Sequence, residues 1–599
     1  MDLFKKNLEL LRTSHPALAR RVECESFSDL IQITASKDGC PIPLVNSISL
    51  HSNYHPRQEA VRAVADFSAG DGERTVVYGL AFGYHVLELI AKNPEKEIVV
   101  IEPRMSLFRA FLTAMDLRPF LPQTRFVVGE PPPKLLVNLR SETWKVFEHL
   151  PSVRISDVYF ERLQKARRIS GYIESNSLKV LVVNPFYGGS LPTARYCVRA
   201  LNDLGHRAEA VECEVFADGF LSLNGVTRVK ENAEALSRQF MNFMGQLVAA
   251  KAAEFQPDLI LALAQAPLTP DAIQNLKKLN VPIVFWFVED FRMLTYWKEV
   301  APHYDYFFSI QRGPFFDELD SVGAKNHYYL PQACLPAAQQ KRVLNPEERE
   351  KYSADVSFMG AAYFNRLQSF PRLLDRDFKI WGTGWNLESM IGARVQNANQ
   401  RIESEETVKI YNAAKINLNL HSSTYHSGVN PDGDFVNPRT FEIAACGGFQ
   451  LVDERSELAE LLEPGEEVAT FSSIDELTRK IDHYLEHEEE ARAIAGRGRK
   501  RVLKEHTLQQ RMRELLIHVF TDRMDDLRAR VEKDERDPLA YCIEQAGAET
   551  ELGRYLGQFK GMPDFSLKTI TDHIENGKGA LNKTELLMLM LNQLVKAET

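Results

Sequence analysis

Arg439 and Glu442 stand three residues apart in the stretch Val436-Asn-Pro-Arg-Thr-Phe-Glu-Ile-Ala-Ala-Cys-Gly-Gly-Phe-Gln-Leu-Val452. On a helix that spacing puts a guanidinium and a carboxylate on one face. Pro438 suits a first helical turn and Gly447-Gly448 a helix stop, so both charges belong to the N-terminal turn, where backbone N–H groups lack partners. A fixed cation, a carboxylate and several N–H donors suit a nucleoside diphosphate, with arginine and the helix end for phosphate and the carboxylate for ribose hydroxyls. A surface salt bridge on an ordinary helix is the competing reading, and the surrounding elements decide between them.

Those elements belong to a long chain. At 599 residues it exceeds what one hydrophobic core supports. A net charge of -10 without a basic stripe argues against a nucleic-acid binder, and small molecules or proteins are the expected partners. The sequence has no long uncharged apolar run and its first residues lack the apolar core of a signal peptide, so no transmembrane segment is expected and the cytoplasm is the expected compartment. Seven cysteines are scattered singly, with neither disulfide-framework nor zinc-knuckle spacing.

Strand, turn and helix signals begin three times. Arg74 to Glu102 reads as an apolar strand, a turn with Gly79 and Gly83, an amphipathic helix and a second strand ending in Glu102. As a cofactor site this would be a nucleotide or S-adenosylmethionine pocket; as scaffold it is a Rossmann-like domain without ligand, because the usual glycine fingerprint is incomplete. Leu178 to Ser190 opens a second unit with the loop Gly188-Gly189-Ser190 and a helix from Thr193 to Leu204. Strands at Asp258–Leu263, Pro282–Val288, Tyr306–Ile310 and His327–Leu330 follow, which implies a parallel sheet. Gln265 and the pair Glu289-Asp290 sit after two of these strands; Asp290 is the candidate general base, against a reading in which the acids cap a helix over Phe291–Val300. The third unit restarts at Asp355–Gly360 and continues through Arg366, the Gly382-Thr-Gly384 loop, a strand Ile416–His421 and the opening helix. Gly360, Arg366, Gly382, Gly384, Asp434, Asn437, Arg439 and Glu442 form the candidate donor site. Asp432-Gly-Asp434 offers a metal motif, but its turn residues favour a plain turn, and no metal is expected. The stripe Leu586-Leu-Met-Leu-Met-Leu591 reads as a packing or oligomer surface.

Tyr78-Gly-Leu-Ala-Phe-Gly-Tyr-His85 with Val100-Ile-Glu-Pro103 resembles the N-terminal region of motility-associated-factor flagellin glycosyltransferases. Phe358-Met-Gly360 with Arg366, Tyr411-Asn-Ala-Ala-Lys-Ile416 with Asn419, Arg439 to Gly447, and His506 with Arg511 resemble the CgeB-like branch of the group 1 glycosyltransferases. The second resemblance implies an α/β fold: a GT-B pair of Rossmann-like domains, here with an extra N-terminal Rossmann-like domain and a helical C-terminal appendix. The corresponding domains are 1–175, 176–337 on the acceptor side, 338–505 on the donor side, and 506–599 with a crossing helix. It also implies transfer from a nucleotide sugar, a UDP-sugar first, to a protein (flagellin by the N-terminal resemblance) or a glycan acceptor, without a required cofactor. Glu442 takes the position of the family's ribose-binding glutamate. The partner position eight residues upstream holds Asp434 in place of glutamate. A sugar-nucleotide epimerase of the same architecture, an S-adenosylmethionine-dependent methyltransferase and a non-catalytic scaffold are the alternatives.

Overall fold

The computed structural model describes residues 2–598 apart from Phe27, Asp29, 71–72, 140–142, 535–537, 561–564 and 578. A short antiparallel ribbon, β1 (Ile31–Ala35), β2 (Pro41–Val45) and β3 (Ile48–Ser49), precedes three parallel sheets. The N-terminal sheet contains β4 (Glu73–Tyr78), β5 (Ile98–Glu102), β6 (Thr124–Val128) and β7 (Thr143–Glu148), in the order β6-β5-β4-β7. Strand β5 is buried along its whole length, as its unbroken Ile-Val-Val-Ile run demands of a sheet covered on both faces.

The middle sheet contains β8 (Lys179–Val183), β9 (Arg207–Val211), β10 (Leu259–Leu263), β11 (Ile283–Phe287), β12 (Tyr306–Ser309) and β13 (His327–Tyr329), in the order β13-β12-β11-β10-β8-β9. The C-terminal sheet contains β14 (Val356–Met359), β15 (Phe378–Trp381), β16 (Ile416–Asn419), β17 (Gln450–Asp453) and β18 (Ala469–Phe471), in the order β15-β14-β16-β17-β18. In both, the strand order reverses beside the first strand, between β8 and β10 and between β14 and β16. Open parallel sheets bind ligands in the crevice outside the strand carboxyl ends at such points.

A helix Leu508–Phe520 follows the C-terminal sheet's last long helix and packs on helix Ser190–Asp203 of the middle sheet. Its start is fixed by a capping box in which Thr507 and Gln510 exchange hydrogen bonds. Arg511 donates from Nε to the Pro331 carbonyl at 2.8 Å, and its other arm reaches His506 Nδ1 at 2.8 Å, so this pair ties the returning helix to the linker. Two facing Rossmann-like sheets joined by a crossing helix make the GT-B arrangement. By compactness the chain divides into Met1–Asp522 and a helical unit, Arg523–Thr599. In the latter Met588 packs with Leu556, Phe559 and Ile574, while Leu586, Leu587, Met590, Leu591 and Leu594 are exposed. Among the described residues no helix is long and apolar enough to cross a membrane.

Two expectations need correction. The segment after Asp290 is a turn, helical only over Trp297–Val300, because Phe291 and Trp297 both fold back to pack on Phe315, at 4.4 and 4.8 Å between ring centroids. The N-terminal turn is filled by the protein itself. Glu102 is buried and accepts the Leu80 and Arg104 amides at 2.9 and 3.1 Å, while His51 accepts the Phe82 amide at 3.1 Å. A Cβ on Gly79 would lie 2.1 Å from the Ser152 Cβ, and one on Gly83 would lie 2.7 Å from Phe120. These glycines serve close packing, and Glu102, whose carboxyl burial pushes up to about 7, braces the loop where a nucleotide would need it free. Three buried histidines, His51, His85 and His149, fill the remaining space, with the rings of His85 and His149 stacked at 4.3 Å.

Candidate active site

The helix carrying Arg439 and Glu442 runs from Pro438 to Cys446 and stops at Gly447, whose φ of +76° explains the glycine. Asn437 caps it, with its side-chain oxygen accepting the Thr440 amide at 3.2 Å. The cap is held in turn by a buried chain. Asn437 and Asn419, at the end of β16, exchange amide hydrogen bonds of 2.8 and 3.2 Å. The Asn437 backbone N–H donates to His421 Nε2 at 2.9 Å, and His421 Nδ1 meets Asp453 Oδ1 at 2.7 Å. This pattern places the imidazole proton on Nδ1 and leaves the ring neutral. Burial, reinforced by the Arg455 charge, lowers His421 to about 4. Burial opposes ionisation of Asp453, yet Arg455 and His421 hold its carboxyl well below the usual range.

Above this frame, Gly360 follows β14 and Gly382 follows β15. Their backbones pack directly: a Cβ on Gly382 would lie 2.2 Å from the Gly360 carbonyl oxygen. The Gly360 oxygen also accepts the Trp385 indole N–H at 3.0 Å. A Cβ on Gly360 would lie 2.6 Å from an Arg439 nitrogen and 3.2 Å from an Arg366 nitrogen, so two guanidinium groups converge on this bare stretch of chain. Arg366 is fully buried and donates to the Leu420 and Ala361 carbonyls, each at 2.8 Å; Arg439 donates to the Met359 carbonyl. Among the described residues neither arginine has a carboxylate within ion-pair distance. Burial and the neighbouring Arg439 charge both disfavour the protonated Arg366, a penalty that an anion between the two groups would relieve. Gly384, farther along the loop with φ +79°, stands near Ala362 and touches neither arginine.

Glu442 lies one turn beyond Arg439. It makes no hydrogen bond or ion pair among the described residues, and burial pushes its carboxyl up to about 7 against the pull of Arg439. Burial, and after it the charge of Glu442, raises the hydroxyl of Tyr196 on helix Ser190–Asp203 beside the middle sheet.

Asp434 looks across the cleft between the two sheets. It is paired with Arg292 at 3.0 Å and accepts from Gln311 Nε2 at 2.7 Å, both from the middle sheet. Arg401 reaches the other way and donates to the Gly188 carbonyl at 3.0 Å. Asp290 accepts the Arg292 amide at 3.0 Å, capping its turn, with Gln311 Nε2 3.5 Å away. Its neighbour Glu289 accepts the Ser190 hydroxyl at 2.8 Å, and burial raises its carboxyl above the usual range. The structure therefore gathers Gly360, Arg366, Gly382, Asn437, Arg439 and Glu442 in one region with Gly384 at its edge, and sets Asp434, unlike the other candidate donor residues, with Asp290 and the Gly188–Ser190 loop along the contacts between the two sheets.

Residues 365–517 match the family model described as "Glycosyl transferase-like". The spore protein CgeB of Bacillus subtilis (strain 168) is 24% identical over 269 residues, covering 43% of this chain and 81% of that protein. Over the stretch aligned with it, the chain is similar to CgeB. An uncharacterized protein of Treponema pallidum (strain Nichols) is 28% identical over 235 residues, covering 36% of this chain and 80% of that protein. Among solved structures, the sucrose-phosphate synthase from Thermosynechococcus elongatus aligns with 60% of the chain and 100% of its own, at 13% identity and a TM-score of 0.40. The matched segment contains Arg366, Asp434, Asn437, Arg439 and Glu442, and it ends within the crossing helix.

Proposed function

We propose that the cleft binds a nucleotide sugar at the C-terminal sheet and transfers its sugar to a protein or glycan acceptor presented by the middle sheet. Arg366 and Arg439, with the backbone at Gly360 and Gly382, hold the diphosphate. Glu442 accepts hydrogen bonds from the ribose hydroxyls. As the bond between the anomeric carbon and the phosphate oxygen breaks, the two guanidinium groups neutralise charge developing on the leaving diphosphate, and being held by backbone carbonyls they need no reorganisation to do so.

The observation that carries this reading is the convergence of two arginines without carboxylate partners beside a carboxylate without a donor. A structural salt bridge would have paired them with each other. Titration calorimetry with UDP, GDP, CDP and dTDP checks it. One ribonucleotide, UDP first among the candidates, binds the wild type; Arg439→Ala weakens it by about 1.5–3 kcal/mol, as the loss of a charged hydrogen bond requires. Glu442→Ala weakens UDP more than its 2′-deoxy analogue. Wild-type protein that binds no nucleotide at millimolar concentration sinks the reading.

A further inference from the structure

The carboxyl edge of the middle sheet ends, strand after strand, in hydrogen-bond acceptors. Asn184 follows β8, Glu212 follows β9, Gln265 follows β10, Glu289 follows β11 and Gln311 follows β12. At the point where the strand order reverses, between β8 and β10, two of these acceptors lack donors. The Gln265 Oε1 is buried and has no hydrogen-bond partner, and neither has the Oδ1 of Asn184, a residue with no exposed surface. Gln265 also holds φ at +67°, in the left-handed region that side-chain-bearing residues avoid, and its amide donates to the Tyr296 hydroxyl at 2.7 Å. Strain of this kind survives where surrounding structure imposes it, and it gathers at functional sites.

The Gln265 oxygen points at the Gly188 loop: a Cβ on Gly188 would sit 2.8 Å from it. Gly188, with φ +96° and no side chain, lets the loop close over this buried oxygen without donating to it. Ser190, two residues on, donates its hydroxyl to Glu289 at 2.8 Å, so the carboxylate and the amide oxygen flank one loop. Half-exposed Tyr187 stands next to it. The loop touches Arg401 of the donor-side sheet, and Asp290, next to Glu289, lies near Gln311, which bridges to Asp434. The buried, unpartnered acceptors thus lie beside two contacts that cross the cleft.

We propose that Glu289, Gln265 and Ser190 form the acceptor seat and that it takes a polyhydroxylated acceptor, a sugar whose neighbouring hydroxyls donate to the Glu289 carboxylate and the Gln265 oxygen. Two acceptors flanking one loop call for two donors on one ligand, which a pair of ring hydroxyls supplies and a single serine or threonine hydroxyl does not. An edge so rich in carbonyl and carboxylate oxygens disfavours an anionic acceptor. A few placed polar groups beside an aromatic ring are the usual furniture of a small-ligand site. The proposal rests on the donor reading only for its position opposite that site, since binding at the seat is measurable without turnover.

Saturation-transfer NMR with methyl glycosides of glucose, galactose, mannose and N-acetylglucosamine, run with and without UDP, tests it. At least one glycoside binds the wild type, and Glu289→Gln and Gln265→Leu each weaken that glycoside about tenfold or more. Both variants keep the wild-type melting temperature and the wild-type affinity for UDP by calorimetry, which separates loss of the seat from loss of the fold. No glycoside binding at tens of millimolar, or wild-type binding by both variants, overturns the proposal. Glycoside binding that depends on Glu289 in a protein that binds no nucleotide upholds the seat and removes the donor reading instead. Binding of a cationic amine such as ethanolamine in preference to every glycoside also overturns it, by assigning the acidic edge to a charge.

Discussion

In the proposed donor site, Glu442 carries a cost that ligand would offset. Its carboxyl sits at about 7 where an exposed glutamate sits near 4.5, and the first cause is burial. Raised in the folded state, the group favours folding below the unfolded value and loses that contribution as pH rises from about 4.5 to 7. Glu442→Gln is therefore expected to stabilise the ligand-free protein by about 1–3 kcal/mol at pH 8 and by little at pH 5, read from urea unfolding at both values. Nucleotide binding carries the opposite sign. On the proposed reading a ribose hydroxyl donates to the ionised carboxylate, so affinity is expected to rise through pH 7 and binding near pH 6.5 to release a proton, seen as a dependence of calorimetric enthalpy on the buffer. The glutamine variant flattens both. Gly382 makes a steric counterpart. With φ +142° and a Cβ position 2.2 Å from a backbone oxygen, Gly382→Ala has no side chain to push aside. A loss of more than about 2 kcal/mol in thermal unfolding and of nucleotide binding follows. Arg439, Glu442 and Gly382 were legible as residues because helix spacing and glycine are local signals. The unpartnered Gln265 oxygen was not, since its surroundings come from a loop distant in sequence.

At the scale of elements, the donor helix is only as well placed as its cap. Asp453 at the end of β17 orients His421 after β16, and His421 accepts the amide of Asn437, which starts the helix. Asp453→Asn leaves His421 and Arg455 buried without their shared carboxylate, and the expected cost is about 3–5 kcal/mol. His421→Gln is milder, and its pH dependence identifies the mechanism. The folded histidine resists protonation down to about 4, whereas the unfolded one titrates at 6.5, so acid favours the unfolded chain and the wild type loses this contribution as pH falls from 6.5 to 4. The stability gap between wild type and His421→Gln narrows over that window, and nucleotide affinity falls at neutral pH; a gap that widens toward acid would contradict the assignment. The helix limits, Pro438 and the Gly447 stop, were readable because proline and positive-φ glycine punctuate locally. The buried parallel strands were readable for their continuous apolar runs. The turn after Asp290 was not, since Phe291 and Trp297 have helix-compatible spacing and are drawn inward by Phe315, a residue of another element. At helix Ile474–Glu486, Ser473 accepts the Glu476 amide at 3.2 Å, while Glu476 takes the Ser472 amide at 2.8 Å, one residue before the cap.

At the scale of the whole molecule, the crossing helix does what neither sheet can do for itself. Leu508, Met512, Leu515, Leu516, Val519 and Phe520 are all buried, and the helix packs on helices Ser190–Asp203, Pro132–Asn138 and Asp157–Ser175. Residues from Arg523 onward form a separate compact unit with its own core of Leu539, Leu556, Phe559, Ile570 and Ile574. The two halves of the tail therefore answer truncation differently. Each buried leucine or phenylalanine contributes about 1.5–3 kcal/mol, so removing the helix takes away more than the net stability of about 5–15 kcal/mol on which a folded protein rests. A chain ending at Asp522 is expected to keep the melting temperature of the larger unit and to bind nucleotide within about twofold of the full chain, a change under about 0.4 kcal/mol. A chain ending at Glu505 is expected to lose cooperative unfolding and nucleotide binding together. Differential scanning calorimetry of the two truncations decides the matter. A chain ending at Asp522 that no longer binds nucleotide would place part of the donor site beyond the crossing helix, and a chain ending at Glu505 that still binds would show that the C-terminal sheet holds its seat without the return to the middle sheet.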